Sequence, residues 1–504
     1  MSGRGLGGHP EDGGDGTLTA QEAEPAPPER APHLFLLLEC DRPRAGGWRI
    51  RLDDLDELEI GRGGQRASQI SGPGSAGRQT LRLSCPDRRL SAAHARLHPV
   101  LGGWELADLG SKNGCLVNGE RVERARLRDG DLLELGRTLW LFRADLLHHG
   151  GPRVSPPDEP HAAADPAEAP QGAPASAPVA AEGAVAAPAS APIGAASLVP
   201  ELARGFERLA DVARSAAPIL LVGESGTGKE LLARAVHAWS GRPGPLVAVN
   251  CAALPAGLVE SSLFGHRRGA FTGATDAQPG LVRAADAGTL FLDEIGDLAP
   301  QAQAVLLRVL QEKEVVPVGE TRPVPVDVRI VAATHRDLER AAASGRFRAD
   351  LLARLAGYRF ELPPLRARRE DLGLLMAAIL ARLGADVRLT PEAARALARR
   401  PFHLNVRELE RALEAAVALA GPGGEIDADM LPLRGGDGAG GEAAGPPFPI
   451  SPPDNSEELR ARLVAELERQ QGNVSAVARA MGKARMQVQR WIKRFRLRAE
   501  DYRR

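Results

Sequence analysis

Residues 217–240, APILLVGESGTGKELLARAVHAWS, run from a short apolar segment (Ile219–Val222) through a glycine-rich turn into an amphipathic stretch. A strand, a turn and a helix in that order form the context in which a P-loop match carries meaning. Gly223, Gly226 and Gly228 let backbone N–H groups turn inward around phosphate oxygens, with Glu224, Ser225 and Thr227 filling the loop between them. Lys229 opens the helix, where its ammonium and the helix N-terminus both favour phosphate charge. The hydroxyl that commonly follows this lysine is absent. Glu230 stands in its place, so a magnesium ligand must come from elsewhere.

The next supporting stretch lies downstream. GTLFLDEIGDL, residues 288–298, reads as a buried strand ending in two carboxylates. Asp293 is the candidate metal residue, holding magnesium directly or through water, and Glu294 is placed to polarise an attacking water. Both motifs in this order predict an α/β domain that binds ATP with Mg2+ and hydrolyses it.

Around that block the composition changes twice. Residues 147–197 are rich in Ala and Pro without apolar periodicity, and residues 434–456 are rich in Gly and Pro. Neither stretch can bury a core, so both are expected to act as linkers. With a polar tail at 1–32, they leave ordered blocks at 33–146, 198–433 and 457–504, the middle one carrying a smaller lid from about 370. The whole is a soluble multidomain chain of 504 residues with 43% hydrophobic and 26% charged residues. Its net charge of −1 excludes nothing, because local charges of opposite sign cancel within it. Cys40, Cys85, Cys115 and Cys251 lack paired spacing, which argues against a disulfide framework and fits a reducing cytoplasm. The start, MSGRGLGGHPEDGG, has no apolar signal core, and no run approaches membrane-span length, so no membrane association is expected.

One hexapeptide resists a purely structural explanation. In GAFTGA (Gly269, Ala270, Phe271, Thr272, Gly273, Ala274) the only bulky side chain stands between two glycines with few local neighbours. Together with LVGESGTGKELLARAVH, VAVNCAALP, GTLFLDEIGDL, VDVRIVAATHRDL, FRADLLARL, LPPLRARREDL and NVRELERAL, it makes the middle block resemble the AAA+ domain of bacterial enhancer-binding proteins, activators of sigma-54 RNA polymerase. The resemblance covers essentially all of residues 198–433. It implies that the Phe271 loop contacts sigma-54 during ATP turnover and that Asn250 engages the Walker B glutamate. It further implies that Thr334, followed by His335, forms a sensor, that Arg348 and Arg354 are arginine fingers for a neighbouring subunit, and that Arg407 is the second sensor. Taken bare, two arginines six apart are a solvated helix face. Two departures stand out: Phe402-His403-Leu404 replaces Trp-Pro-Gly before the lid helix, and Arg267 occupies a usually acidic place.

The last block holds nine Lys or Arg against two acidic residues between Lys483 and Arg504, an electrostatic footprint for a phosphate backbone. NVSAVARAMGKARMQVQRWIKRFRL reads as two helices around a turn at Gly482 and resembles the Fis-type helix-turn-helix of the same activators. Lys483, Arg485, Gln487, Gln489, Arg490 and Lys493 lie off the apolar stripe as candidate DNA contacts. A basic helical hairpin used for assembly is the alternative.

From His33 to Phe142, alternating apolar residues and turn signals predict an all-β sandwich. EIGRGG, DRRLSAAHARL and GSKNGCLVNGERV make it resemble a forkhead-associated (FHA) domain, a phosphothreonine reader, with Arg62, Ser91, Lys112 and Asn113 as the candidate phosphopeptide site and Gly61, His94 and Gly114 as loop-shaping positions. A scaffold that no longer binds phosphate remains the alternative. The combined expectation is a cytoplasmic activator that binds enhancer DNA, takes a phosphothreonine protein as input and forms a homo-oligomer, a hexamer when active and a dimer when inactive. A chaperone or helicase is disfavoured by GAFTGA, and a repressor with a vestigial ATPase by Lys229, Asp293, Glu294, Arg348 and Arg354.

Overall fold

The structure is a computed structural model describing residues 29–71, 79–148, 153–155, 195–255, 257–271, 274–432 and 456–481, with isolated positions beyond. Residues up to 435 form one compact unit and the remainder a second.

The N-terminal strands are β1 (Glu29–Glu39), β2 (Trp48–Arg51), β3 (Leu55–Arg62), β4 (Ala67–Ser71), β5 (Gln79–Cys85), β6 (Ala95–Val100), β7 (Gly103–Asp108), β8 (Cys115–Val117), β9 (Glu120–Val122), β10 (Arg124–Leu127), β11 (Leu132–Leu135), β12 (Thr138–His148) and β13 (Val154–Ser155). They form a seven-stranded sheet, β13-β2-β1-β12-β11-β8-β9, and a six-stranded sheet, β10-β7-β6-β3-β5-β4. Leu34, Leu36, Trp140 and Phe142 point between the sheets and meet Leu58, Ile60, Leu81, Leu83 and Leu106. Side chains alternate across a strand, so Phe35, Leu37, Leu139 and Leu141 face out of the sandwich. These outward residues are also buried, in a second core shared with the lid helices.

The middle domain opens with α1 (Pro200–Ala213), β14 (Ile219–Val222), α2 (Lys229–Ser240) and β15 (Leu246–Asn250). It continues through α3 (Val259–Phe264), α4 (Leu281–Ala284), β16 (Thr289–Asp293), α5 (Pro300–Glu312), β17 (Glu314–Val315) and β18 (Val324–Pro325) to β19 (Arg329–Thr334), α6 (Leu338–Ala343), α7 (Ala349–Leu355) and β20 (Tyr358–Glu361). Five of these strands form a parallel sheet, β15-β16-β19-β14-β20. Buried on both faces, it carries near-continuous apolar runs, as in Ile219–Val222 and Leu290–Leu292. The order puts the loop after β14 at the carboxyl ends of the strands, between β19 and β20, where open α/β sheets bind ligands.

The lid comprises α8 (Leu372–Arg382), β21 (Arg388–Leu389), α9 (Pro391–Arg399), α10 (Asn405–Ala420) and β22 (Glu425–Ile426). Leu372, Met376, Leu380, Ala394, Leu397, Leu409 and Leu413 share one core with Phe35, Leu37, Leu38, Leu139 and Leu141 of the sandwich. The rim is polar: Arg143 pairs with Glu370 at 2.5 Å, Arg395 with Glu134 at 2.9 Å, and Arg137 with Glu425 at 2.5 Å. Backbone joins backbone as well, because Leu389 N donates to the Cys40 carbonyl at 2.7 Å.

The second unit has α11 (Ser456–Arg469) and α12 (Val474–Ala480). Leu463, Leu467, Val477 and Val488 form its buried core, with Val474, Met481 and Ile492 against it. The sequence reading placed no separate helix at 456–469. The six candidate DNA contacts, Lys483, Arg485, Gln487, Gln489, Arg490 and Lys493, lie outside the described residues, as do both linkers for most of their length.

Candidate functional site

The loop after β14 closes on itself. Gly226 and Gly228 take φ of 77° and 109°, the left-handed region that glycine enters at no steric cost. Gly223 N donates to the Thr334 carbonyl at 3.1 Å, and Thr227 Oγ1 to the Glu224 carbonyl at 2.9 Å. Lys229 is buried, with Nζ on the carbonyls of Gly223 and Glu224 at 2.8 and 3.0 Å. Burial lowers its pKa, while Glu294 and Asp293 nearby oppose the shift. No side chain caps the N-terminus of α2, so its leading amides are free to face an anion. Glu230 lies on the helix surface, paired with Arg234 at 2.8 Å.

Asp293 and Glu294 follow directly from β16. Burial raises the Asp293 pKa, and the Glu294 charge raises it further. Glu294 has φ of 51°, an uncommon backbone conformation for a non-glycine residue and one found at functional turns. Its carboxylate accepts from His335 Nδ1 at 2.7 Å. Asn250 does not hold it here: its Oδ1 accepts instead from Ala252 N at 2.9 Å, capping its own turn. Sequence reasoning therefore missed His335 as the group that orients Glu294, although the imidazole's capacity to hydrogen-bond was legible.

The connector before the lid and the lid itself grip the loop through Arg366, Arg368 and Asn405, which the sequence reading did not single out, and through Arg407, which it did. Arg366 makes a two-pronged ion pair with Glu224 at 2.8 and 2.5 Å, and Asn405 Nδ2 reaches Glu224 and the Ser225 carbonyl at 3.1 and 3.0 Å. These hydrogen bonds, Arg366 first, hold the Glu224 carboxyl down at about 2. Arg368 donates to the Thr227 carbonyl at 2.8 Å. Arg407 adds its N–H to the Gly226 carbonyl and Nη1 to Ser225 Oγ, each at 3.3 Å. The Phe402-His403-Leu404 replacement forms a turn whose Phe402 is buried and whose Phe402 and Asn405 both have positive φ.

Arg348 and Arg354 lie apart from this loop. Arg348 is exposed and paired with Asp350 at 2.6 Å, and Arg354 is exposed on α7. Thr334 is buried, with Oγ1 on Arg336 N. The loop at Gly269–Ala274 is pinned at its base by Gly269 N to the Ala274 carbonyl at 2.9 Å and by Ala274 N to the Phe271 carbonyl at 3.0 Å. The expectation that Phe271 lacks neighbours needs correction: its ring packs on His266 with centroids 5.0 Å apart and remains half-buried. Thr272 and Gly273 lie outside the described residues.

On the sandwich, Arg62, Ser91, Lys112 and Asn113 come from three loops that hydrogen bonds draw together. Arg62 N donates to the Ser91 carbonyl at 2.9 Å, Lys112 N to Ser91 Oγ at 3.2 Å, and Asn113 Nδ2 to the Arg89 carbonyl at 2.6 Å. His94 is fully buried beneath them. Its Nδ1 accepts from Ser91 N, so Nε2 carries the proton and donates to the Gly114 carbonyl at 3.2 Å. Burial lowers its pKa and favours this neutral form.

With this geometry in hand, four family models match: an FHA domain over 59–136, a sigma-54 interaction domain over 197–361, an AAA+ ATPase lid domain over 366–442 and a homeodomain-like domain over 454–501. The transcriptional regulatory protein ZraR of Escherichia coli K12 is 44% identical over 293 residues, 56% of this chain and 64% of that protein. Residues 197–361 belong to the sigma-54 interaction domain family. The Nif-specific regulatory protein of Azotobacter vinelandii is also 44% identical, over 57% of this chain and 56% of its own length. The matched stretch thus spans less than two thirds of each relative. A crystal structure of NtrX from Brucella abortus in complex with ATP aligns at 31% identity and a TM-score of 0.42, covering 59% of this chain and 68% of that one. Together the sigma-54 interaction and lid matches make the middle domain an AAA+ ATPase domain with its own lid. Among the described residues no helix is long and apolar enough to cross a membrane, and no cluster of three or more His, Cys, Asp or Glu is placed to hold a metal.

Proposed function

We propose that the chain is a cytoplasmic transcription activator that binds enhancer DNA, assembles into a ring and uses ATP hydrolysis to remodel sigma-54 RNA polymerase. The uncapped start of α2 and the buried Lys229 fit the phosphates of ATP. Magnesium would be held by Asp293 together with those phosphates. Bound there, MgATP supplies the phosphoryl group whose transfer to water drives the cycle. Glu294, held by His335, orients the attacking water, and Asn250 and Thr334 sense the nucleotide state from the neighbouring strand ends. Arg348 and Arg354 reach a neighbouring subunit's site, where a guanidinium suits charge spread over a phosphoryl group.

The observation that carries the output step is the loop at Gly269–Ala274, closed at its base by backbone hydrogen bonds, with a half-buried Phe271 ring packed on His266. A half-buried ring can leave His266 for a partner protein, and sigma-54 is the partner we assign. The input is a phosphothreonine protein, met by Arg62, Ser91, Lys112 and Asn113, where two cationic side chains suit a dianion. The C-terminal block supplies the DNA contacts through Lys483, Arg485, Gln487, Gln489, Arg490 and Lys493. Phe271→Ala should keep ATP hydrolysis near that of the parent while abolishing sigma-54-dependent open-complex formation in vitro. Transcription activation by that variant would sink the assignment of the loop.

A further inference from the structure

Seven residues, Leu365–Asp371, separate β20 and its following turn from the first lid helix, and they face two ways. Toward the nucleotide loop, Arg366 holds Glu224 and Arg368 holds the Thr227 carbonyl. Toward the FHA sheet, the Glu370 carboxylate is buried against Arg143 of β12 at 2.5 Å. Its second oxygen has no hydrogen-bond partner among the described residues. Leu365 and Leu372, at either end of the segment, are buried in the core that contains Phe35, Leu37 and Leu141. Asp371, fully buried, accepts from Leu198 N at 2.7 Å and from Ser197 Oγ, fixing the chain that leads into α1.

A connector this short, wound as two 3-10 turns, cannot shift on one face and stay put on the other. Without Arg143, Glu370 would be a buried carboxylate with no counter-ion, which proteins avoid by moving or protonating the group. We propose that the FHA domain sets the nucleotide affinity of its own subunit by holding this connector against the P-loop, with Arg143 and Glu370 as positioning residues for Arg366 and Arg368. The seam is kept shut from the far side by Arg137, which bridges Asp41, Glu425 and the Leu389 carbonyl. The inference rests on the P-loop binding nucleotide and is independent of whether the FHA loops read phosphothreonine.

The test uses the full chain with fluorescent ADP as probe, and hydrogen exchange at the Leu389 amide, whose acceptor is the Cys40 carbonyl across the seam. Arg137→Glu and Glu425→Arg should each speed Leu389 exchange and weaken ADP binding by about fivefold or more, the lower end of typical coupling between sites. The double reversal should recover part of both, the Arg137 contacts to Asp41 and the Leu389 carbonyl being lost in it, and Arg143→Lys should bind ADP more tightly than Arg143→Ala. ADP affinity unchanged within about twofold while Leu389 exchanges freely would overturn the proposal. Slow Leu389 exchange in every variant would overturn it too, because the ion pairs would then not hold the seam. Failure of the unaltered chain to bind ADP would instead remove the nucleotide reading on which the inference stands.

Discussion

Gly373 lies in the first turn of α8, where an isolated helix would gain from alanine by up to about 1 kcal/mol, since glycine carries the larger entropy cost. In the docked unit the sign reverses. A Cβ on Gly373 would sit 3.1 Å from the Leu37 carbonyl carbon and 3.3 Å from Gly47 N, and closer still to the Leu37 oxygen. All three are backbone atoms, so relief requires β1 or α8 to move rather than a side chain to rotate. Overpacking of this kind costs about 1–3 kcal/mol, which leaves a net loss of up to about 2 kcal/mol after the helix gain. Urea unfolding of the full chain carrying Gly373→Ala, compared with the parent at equal protein concentration, measures the difference. Hydrogen exchange at Leu389 locates it, because a wedged seam should lose protection there before the nucleotide-binding sheet does. A Gly373→Ala chain more stable than its parent would refute the seating of the FHA sheet on the lid.

Arg348→Ala and Lys229→Ala chains, each inactive alone, should regain ATPase activity when mixed, because an intact arginine finger can then face an intact P-loop across a subunit boundary. No recovery in demonstrably mixed rings counts against fingers acting in trans. Loss of one finger should slow turnover by on the order of a thousandfold. Arg62→Ala should lower affinity for phosphothreonine peptides by about tenfold or more, the worth of a charged hydrogen bond of about 1.5–3 kcal/mol; binding of phosphorylated and unphosphorylated peptides with equal affinity by the parent chain would make the domain a scaffold. His33 is buried and its imidazole is held down at about 4, chiefly by desolvation. Between pH 6.5 and 4 the unfolded chain therefore takes up a proton that the fold refuses, and this group removes about 1.4 kcal/mol of stability per pH unit as pH falls. His33→Phe should flatten that part of the stability curve, and an unchanged slope from pH 6.5 to 5 in urea titrations would show that another group carries it.

The nucleotide loop was readable from sequence because its geometry is local: Gly226 and Gly228 need left-handed backbone, and Ile219–Val222 and Lys229–Ser240 flank them directly. The two carboxylates after β16 were readable for the same reason. The residues that clamp the loop were not, since Arg366 and Asn405 meet Glu224 across 142 and 181 positions of chain and belong to no spacing rule. Asn250 is a case of another kind: the side chain to which the resemblance gives a contact with Glu294 caps its own turn here. The seating of the sandwich on the lid did leave a trace. A half-exposed strand alternates, yet Leu34–Leu38 is apolar without a break, as a strand buried on both faces must be. The expectation of alternation along the whole block overlooked that run.

The shared core also bears on how such a chain can be rearranged. An N-terminal reader attached only by a tether could be exchanged for another without consequence for the engine behind it. Here Met376, Leu380 and Leu397 of the lid share one buried core with Phe35, Leu37 and Leu141 of the neighbouring sheet. A graft that replaced residues 29–148 with an unrelated sensor would expose an oily plate and strand Glu370 without its cation. Modularity, for this architecture, would be bounded by the β1–β12 face rather than by the ends of the linker.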